Sequence, residues 1–418
     1  MGARAEGTDP GILLRLTLLN DDERIAARLG DTELWVTGRD RHGELVRGSS
    51  ASPAFLPLAM IIAAEAGEAL HVEGEVTDDT IVRLNLDFAP MMREYFALPV
   101  TPRLIADAIV PTSKLVPSSA TGLMFSAGVD SFYSLHRLEQ EKVPPTHLVN
   151  LHAGAASDNP AAWRRRIENI GHVADALGMG MLAIETNLHR ALLGKHEKSH
   201  TIRNVCGLLA FDNVIGGAYY SASNHFQHIS FATSVSRGLI SFIEPVLIRA
   251  LVPAGYRIAI LGQDAARIEK TRAIGTNDLV RRHLDVCLKA RYQGQPDNLK
   301  INCGRCLKCV RTLFTLESLG LLEGFEEVFD LQAWNAEREP RLQWLERKGA
   351  AGARADLVQL GRTAPRPTKR QRAAAEAHPE IAKLRAEIRT IKRSRTYRTS
   401  RLLAKAYRLL RGRPAAKP

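Results

Sequence analysis

The chain has 418 residues, 45% of them hydrophobic and 24% charged, which is enough to build more than one hydrophobic core. No run of about eighteen apolar residues occurs, and this excludes a membrane-spanning helix. The net charge of +12 is concentrated in residues 366–418, where 17 Lys and Arg stand against 3 Glu, so that residues 1–365 carry about −2. Three of the five cysteines lie within seven residues, which favours a metal site in a reducing compartment over disulfide bonds.

Residues 1–115 predict an accessory α+β domain. Short apolar and β-branched stretches predict strands at 12–18, 33–37, 71–76 and 81–86. An alanine-rich apolar segment at 58–69 predicts a helix. No arrangement of residues in this region is typical of a catalytic site.

Residues 116–330 alternate between strand and helix patterns. Buried strands are predicted at 122–125, 146–152, 180–185, 218–221 and 256–261. Strands separated by helical lengths pair in parallel through crossover helices, so the sequence predicts a doubly wound parallel sheet of the α/β class. Ligands of such sheets collect at the carboxyl ends of the strands.

A small-residue turn joins the first of these strands to a predicted helix, and its sequence is Ser126-Ala127-Gly128-Val129-Asp130-Ser131. Such a turn directs free backbone N–H groups and the positive end of the helix dipole toward one point. The two serine hydroxyls add further donors, so the turn predicts an anion site, with phosphate as the expected ligand. The alternative is an ordinary strand-to-helix turn in which Ser131 caps the helix.

The cysteines predict a metal site near the end of this region. Cys303, Cys306 and Cys309 follow the spacing C-x2-C-x2-C, which brings three thiolates to one ion. Tetrahedral zinc needs a fourth ligand, and Cys287, with fifteen residues between it and Cys303, is the nearest cysteine. An iron–sulfur cluster is the alternative. Cys206 lies in an apolar stretch and is expected to be a buried structural residue.

The remainder of the chain is predicted to form a short helix plus linker, 331–365, followed by a basic amphipathic helical tail, 366–418. The tail could contact a membrane surface, another protein or a nucleic acid. Nucleic acid is the less favoured partner because no aromatic residues are interleaved with basic ones on the folded part. The first residues lack the apolar core of a signal peptide, so a cytoplasmic protein is expected, with the tail able to reach the inner membrane surface.

The turn at 126–131 resembles the PP-loop, S-G-G-x-D-S, of the N-type ATP pyrophosphatases, with Ala127 in place of the first glycine. The turn and the cysteine cluster together are similar to the 7-cyano-7-deazaguanine synthase branch of that superfamily. The resemblance covers roughly residues 118–318. It implies an ATP-binding α/β domain whose loop binds the pyrophosphate part of ATP.

The same resemblance implies an enzyme that uses ATP and Mg²⁺ to adenylate a carboxylate or carbonyl oxygen, releases pyrophosphate and transfers a nitrogen nucleophile. Asp130 would support pyrophosphate and magnesium, and the four cysteines would hold a structural Zn²⁺. Lys270, in the segment Arg267–Thr271, would stabilise the leaving pyrophosphate; the alternative is a solvated helix lysine.

Several functions remain open from the sequence. The tail segment Ser394-Arg395-Thr396-Tyr397-Arg398, followed by a leucine-rich basic helix pattern, resembles the endings of bacterial surface-polysaccharide glycosyltransferases, which suggests a cell-envelope polysaccharide precursor as acceptor. A tRNA-modifying PP-loop enzyme would use the tail for phosphate contacts. A catalytically inactive nucleotide-binding scaffold is the third possibility, and Ala127 slightly favours it.

Overall fold

The computed structural model describes residues 13–20, 23–49, 53–112, 118–152, 160–191, 196–287, 300–348 and 356–361. The chain divides into two units, Met1–Leu360 and Gly361–Pro418. All of the elements given below belong to the first unit. The basic tail predicted at 366–418 lies outside the described residues.

The strands contributed by the N-terminal region are β1 (Leu13–Asn20), β2 (Ile25–Leu29), β3 (Thr32–Arg39), β4 (Leu45–Val46), β5 (Ala69–Thr77) and β6 (Leu104–Val110). The later strands are β7 (Thr121–Met124), β8 (His147–His152), β9 (Gly180–Thr186), β10 (Gly217–Ser221) and β11 (Arg257–Leu261).

The helices up to the third quarter of the chain are α1 (Leu56–Glu65), α2 (Asp78–Arg83), α3 (Ala89–Phe96), α4 (Val129–Gln140), α5 (Pro160–Leu177), α6 (Leu188–Ala191) and α7 (His196–Leu209). They are followed by α8 (Phe231–Arg237), α9 (Glu244–Leu251), α10 (Arg267–Ile274), α11 (Asp278–His283), α12 (Leu307–Ser318) and α13 (Leu331–Lys348). None of the described helices is long and apolar enough to cross a membrane.

All of the described strands belong to one mostly parallel sheet, in the order β11-β10-β7-β8-β9-β3-β2-β1-β5-β6, with β4 paired to β3. The five adjacent strands β11, β10, β7, β8 and β9 are parallel to one another. Strand β3 then joins β9 in antiparallel register, with Val36 opposite Thr186. The N-terminal strands therefore extend the same sheet that carries the 126–131 turn.

Both faces of the central strands are covered by helices. In β9, Met181 and Ala183 pack into the core on one face, whereas Leu182 and Ile184 pack into the core on the other. Helices α4, α5 and α10–α13 contribute to the first core, and α1, α7 and α9 to the second. A parallel sheet buried on both faces is compatible with the doubly wound α/β fold that the strand–helix alternation predicts.

The predicted strand at 81–86 is wrong, because this segment is helical. Helix α2 begins at Asp78 and continues through a π-helical stretch, Leu84–Phe88, into α3. Thr80, Leu84 and Phe88 are the buried residues, a spacing of four that belongs to a helix. Acidic residues in the first turn and an ion pair of 2.8 Å between Arg83 and Asp79 favour the helix over the strand that the apolar alternation suggests.

The segment predicted as a short helix and linker contains α13, a helix of eighteen residues that runs through Pro340. Trp334, Leu342 and Leu345 on α13 are fully buried in the same core as α12. This part of the predicted linker therefore belongs to the folded unit.

The strand order changes direction at β7. The next strand in the chain, β8, lies on one side of β7, and β10 lies on the other. The carboxyl ends of β7 and β10 therefore flank a crevice at a topological switch point, the position at which open α/β sheets bind ligands. The turn at 126–131 follows β7 directly.

Candidate functional site

The turn Ser126–Ser131, called the 126–131 loop below, leads from the end of β7 into the first turn of α4. Gly128 is the N-cap residue and is extended (φ −84°, ψ 172°). The Ser131 hydroxyl donates to the Gly128 carbonyl at 3.1 Å and accepts from the Ser126 amide at 3.4 Å. Ser131 therefore closes the loop from inside the helix, and the alternative in which Ser131 is the N-cap residue is wrong. The amides of the first helical turn have no intrahelical acceptor and can bind an anion.

Ala127 has a left-handed backbone, with a φ of +56°. This conformation suits glycine and costs an alanine about 1–2 kcal/mol. The side chain is fully buried in the core beneath the loop. The methyl group that replaces the glycine hydrogen of the PP-loop pattern therefore packs into the protein interior, away from the open side of the loop.

Asp130, in the first turn of α4, accepts from two cationic side chains of α10. Lys270 Nζ lies 2.9 Å from its Oδ1, and Arg267 Nη1 lies 3.2 Å from its Oδ2. Burial by itself would raise the pKa of Asp130, but the ammonium of Lys270 and the guanidinium of Arg267 lower that pKa to about 2. The carboxyl group is therefore ionised at neutral pH.

Lys270 spans the crevice at the switch point. Its side chain is 2% exposed, and its Nζ also donates to the carbonyl of Ala222, directly after β10, at 2.7 Å. Gly262, with a φ of +80°, leaves room for it, since a Cβ at that position would lie 3.2 Å from Nζ. The alternative of a solvated helix lysine is therefore wrong.

Helix α12 supplies a further positive charge near the loop. Arg267 Nη2 donates to Thr312 Oγ1 of α12 at 3.4 Å. Lys308, also on α12, is exposed. Its charge adds to those of Lys270 and Arg267 in lowering the pKa of Asp130, against the desolvation that raises it. Three cations thus surround one carboxylate, and the excess of positive charge together with the free amides favours an anionic ligand.

The four predicted metal ligands come together. The sulfurs of Cys287, Cys303, Cys306 and Cys309 all lie within 4.8 Å of one another. A zinc ion with Zn–S bonds of about 2.3 Å has thiolate sulfurs about 3.8 Å apart, and the Cys303–Cys309 and Cys306–Cys309 separations are 3.9 and 3.4 Å. These cysteines can therefore hold a metal ion such as zinc.

Hydrogen bonding among the cysteines favours the thiolate form at two of the four, Cys303 and Cys306. Gly304, with a φ of +64°, makes the turn between Cys303 and Cys306, and the Cys306 amide donates to the Cys303 sulfur at 3.4 Å. Hydrogen bonds from the thiol of Cys287, then from its other two neighbours, hold the pKa of Cys306 well below its usual range. A thiolate is the form that binds a metal.

Cys206 is not part of this cluster. It is fully buried in α7, and burial raises the pKa of its thiol to about 12. The expectation that it is a structural cysteine is confirmed by its place in the apolar core.

The structure thus brings the 126–131 loop, Asp130 and Lys270 to one crevice, as the sequence predicts. The sequence did not predict that Arg267 pairs with Asp130, although Arg267 lies in the segment Arg267–Thr271 that contains Lys270. It also missed Asp285 and Arg166, which connect the cysteines to the loop. The only sequence signal for Asp285 is its position two residues before Cys287.

Compared with models of known protein families and with curated proteins, the chain matches none.

Proposed function

We propose that the 126–131 loop binds the pyrophosphate part of ATP and that the protein is an ATP pyrophosphatase of the PP-loop type. The observation that carries this proposal is the constellation of Asp130, Lys270 and Arg267 beside the free amides of the loop, at the switch point of the sheet. A buried lysine that contacts both sides of this crevice is costly unless it serves a ligand or a carboxylate. In the proposed binding mode its Nζ would lie beside the leaving pyrophosphate.

In the proposed reaction, a carboxylate oxygen of the acceptor attacks the α-phosphorus of ATP. The bond between that phosphorus and the α–β bridging oxygen breaks, and pyrophosphate leaves with the electron pair. The loop amides, Lys270 and Lys308 stabilise the charge that develops on pyrophosphate. A nitrogen nucleophile such as ammonia then attacks the acyl carbon, AMP leaves with the former carboxylate oxygen, and the nitrogen releases one proton to solvent, so that an amide forms.

Asp130 keeps the two cations of α10 in place, because each of its oxygens accepts from one of them. The magnesium ion that accompanies ATP neutralises phosphate charge when it is bound, and Asp130 is the carboxylate at the loop that would face it. The four cysteines would hold zinc in a closed site of four thiolates, which supports structure and leaves no position for a substrate. An iron–sulfur cluster fits less well, because four sulfurs within 4.8 Å converge on one ion.

The buried Ala127 methyl supports an active enzyme over a scaffold, since the substitution does not obstruct the side of the loop that would bind phosphate. We propose a small-molecule carboxylate as the acceptor class. A uronic-acid sugar nucleotide, as expected for a cell-envelope precursor, belongs to that class. Contact of the basic tail with a membrane surface would suit such an acceptor.

The test is AMP and pyrophosphate formation from ATP–Mg by the zinc-loaded protein, screened against carboxylate metabolites with ammonium present. With an acceptor whose carboxylate carries ¹⁸O, one ¹⁸O atom should appear in AMP. Asp130→Asn should abolish this transfer. Asp278→Asn, which changes an exposed first-turn aspartate of α11, should not.

Each other outcome assigns the protein differently. Turnover only in the presence of tRNA would favour the tRNA-modifying alternative. Binding of ATP without turnover across the screen would favour the scaffold. An ¹⁸O label that stays out of AMP would contradict adenylation of the carboxylate.

A further inference from the structure

A short segment connects the cysteine cluster to the 126–131 loop. The amide of Asp285 donates to the carbonyl of Ala127 at 2.8 Å. Asp285 is 3% exposed and lies two residues before the metal ligand Cys287. The same residue thus touches the loop at its strained position and belongs to the segment that reaches the metal centre.

The carboxylate of Asp285 is anchored to that centre. Its Oδ1 accepts from the amide of Cys287 at 3.2 Å, and its Oδ2 accepts from Arg166 Nε at 3.0 Å. Arg166 also donates through Nη2 to the carbonyl of Cys287 at 3.3 Å. Asp285 and Arg166 therefore fix the backbone around one of the four ligands.

A second hydrogen-bonded residue ties the other cysteine segment to the same place. Asn302, just before Cys303, accepts from the Val286 amide at 2.8 Å and donates to the Leu284 carbonyl at 2.7 Å. Both cysteine-bearing segments are thus clamped around Asp285. A metal ion bound by all four thiolates would close this clamp.

The loop needs such support because of Ala127. A non-glycine residue in the left-handed region persists only where its surroundings hold it there. The bond from Asp285 to the Ala127 carbonyl is one of the contacts that hold it. If this support is lost, Ala127 can relax to a negative φ, and the amides on either side of it then no longer converge.

We propose that Asp285 is a positioning residue through which the metal centre orders the 126–131 loop, so that metal binding and pyrophosphate binding strengthen each other although the ion touches no phosphate. The nature of the ligand rests on the proposed function, but the ordering of the loop does not. Linkage requires the coupling to be reciprocal, and couplings of this kind amount to about 5- to 150-fold in affinity.

The first measurement needs no ligand. Hydrogen–deuterium exchange is followed in the full chain, zinc-loaded and after chelation, for peptides that cover the 126–131 loop. The amides of the loop and of the first turn of α4 should exchange faster without zinc, whereas peptides from β2 and β3 should be unchanged. Unchanged exchange in the loop would overturn the proposal.

The variant Asp285→Asn, kept zinc-loaded, covers the case in which chelation unfolds the whole chain. It should reproduce the fast exchange of the loop with zinc still bound, whereas the matched exposed substitution Asp278→Asn should not. Wild-type exchange in Asp285→Asn would contradict the positioning role. Should Asp285→Asn fail to fold, the Arg166→Lys variant, which loosens the same carboxylate, is judged by the same readout.

The second measurement is calorimetric titration with inorganic pyrophosphate. Zinc should strengthen pyrophosphate binding about tenfold or more, and pyrophosphate should slow zinc loss to a chromogenic chelator. Ala127→Gly should reduce this coupling, because glycine adopts the left-handed conformation without support. Equal affinity with and without zinc would overturn the coupling. Absence of pyrophosphate and ATP binding in the zinc-loaded protein would instead refute the proposed function, and the exchange result would stand separately.

Discussion

At the scale of single residues, Ala127 shows how a departure from the glycine pattern is accommodated. Its left-handed backbone costs about 1–2 kcal/mol, but its buried methyl returns about 0.8 kcal/mol. Alanine also lowers the conformational entropy of the unfolded chain, which stabilises the folded state by about 0.5–1 kcal/mol relative to glycine. These contributions nearly cancel, which explains how alanine can occupy a position with a φ of +56°.

We therefore expect Ala127→Gly to change the free energy of unfolding by less than about 1 kcal/mol. Ala127→Val, which adds a β-branched side chain at the same φ, should destabilise by about 2–3 kcal/mol and weaken ATP binding. Urea denaturation and ATP titration of both variants check this. A large loss of stability in Ala127→Gly would show that the methyl packing matters more than the strain.

Asp130 predicts a pH dependence of stability. Its pKa is about 2 in the folded protein, against an ordinary value of 3.8, so the folded state binds its proton less readily than the unfolded state does. The carboxylate therefore contributes about 2 kcal/mol at and above neutral pH. That contribution is lost as the pH falls through 3.8 toward 2, with about half of it gone near pH 3.

The measurement compares the unfolding free energies of the wild type and Asp130→Asn between pH 6 and pH 3. The difference between the two proteins should shrink by about 1 kcal/mol over this range, because asparagine cannot lose a charge. A constant difference would mean that the ion pairs of Asp130 with Lys270 and Arg267 do not lower its pKa.

The five cysteines give a matched pair of substitutions. Cys287→Ser should lower the zinc content of the purified protein below one ion per chain and destabilise it, since the fourth thiolate is lost. Cys206→Ala should retain full zinc content, because Cys206 lies in the core of α7 away from the cluster. The zinc content of both purified variants is measured by metal analysis. Full zinc retention in Cys287→Ser would show that Cys287 is not a ligand.

At the scale of elements, α10 is fastened across the crevice to α4 through Lys270 and Arg267. Lys270→Met keeps most of the buried aliphatic volume but removes the charge that faces Asp130. The substitution leaves the partly buried Asp130 carboxylate with Arg267 as its one remaining cationic contact, which should lower the free energy of unfolding by about 3 kcal/mol. Arg272→Met, an exposed change on the same helix, should cost less than about 0.5 kcal/mol. Equal effects of the two substitutions would contradict the bridging role of Lys270.

The elements around this crevice were the most predictable part of the chain. Apolar runs separated by helical lengths identify β7 to β11, because strands buried on both faces have few polar positions. The segment 81–86 was misread, because its apolar alternation hides the burial spacing of Thr80, Leu84 and Phe88. The contacts of Asp130 with Arg267 and of Asp285 with Ala127 join residues more than a hundred positions apart, and no local pattern reports such pairs.

At the scale of the whole molecule, the sheet does not stop where the composition of the chain changes. The amide of Trp35 in β3 donates to Asn187 after β9 at 2.8 Å, and Thr186 donates to the Trp35 carbonyl at 2.7 Å. One core contains Leu16 and Phe55 from the N-terminal region together with Val205 and Tyr220. Sequence patterns predict the strands β3 and β9 but not their pairing, which depends on register over long separations.

A shared sheet and core predict that the described residues of the first unit unfold as one cooperative unit. Leu34→Ala, in the fully buried part of β3, should lower the same calorimetric transition that zinc removal lowers, by about 2–5 kcal/mol. Two separate transitions, only one of them sensitive to Leu34→Ala, would show instead that the N-terminal region folds independently.

The most direct test of the central claim is a calorimetric competition on the zinc-loaded protein. If the 126–131 loop binds the pyrophosphate part of ATP, inorganic pyrophosphate should compete with ATP–Mg for one site, and AMP should bind far more weakly than either. Lys270→Met should weaken ATP binding about tenfold or more, whereas Arg272→Met should not. AMP binding as tight as that of ATP, without competition from pyrophosphate, would contradict the account.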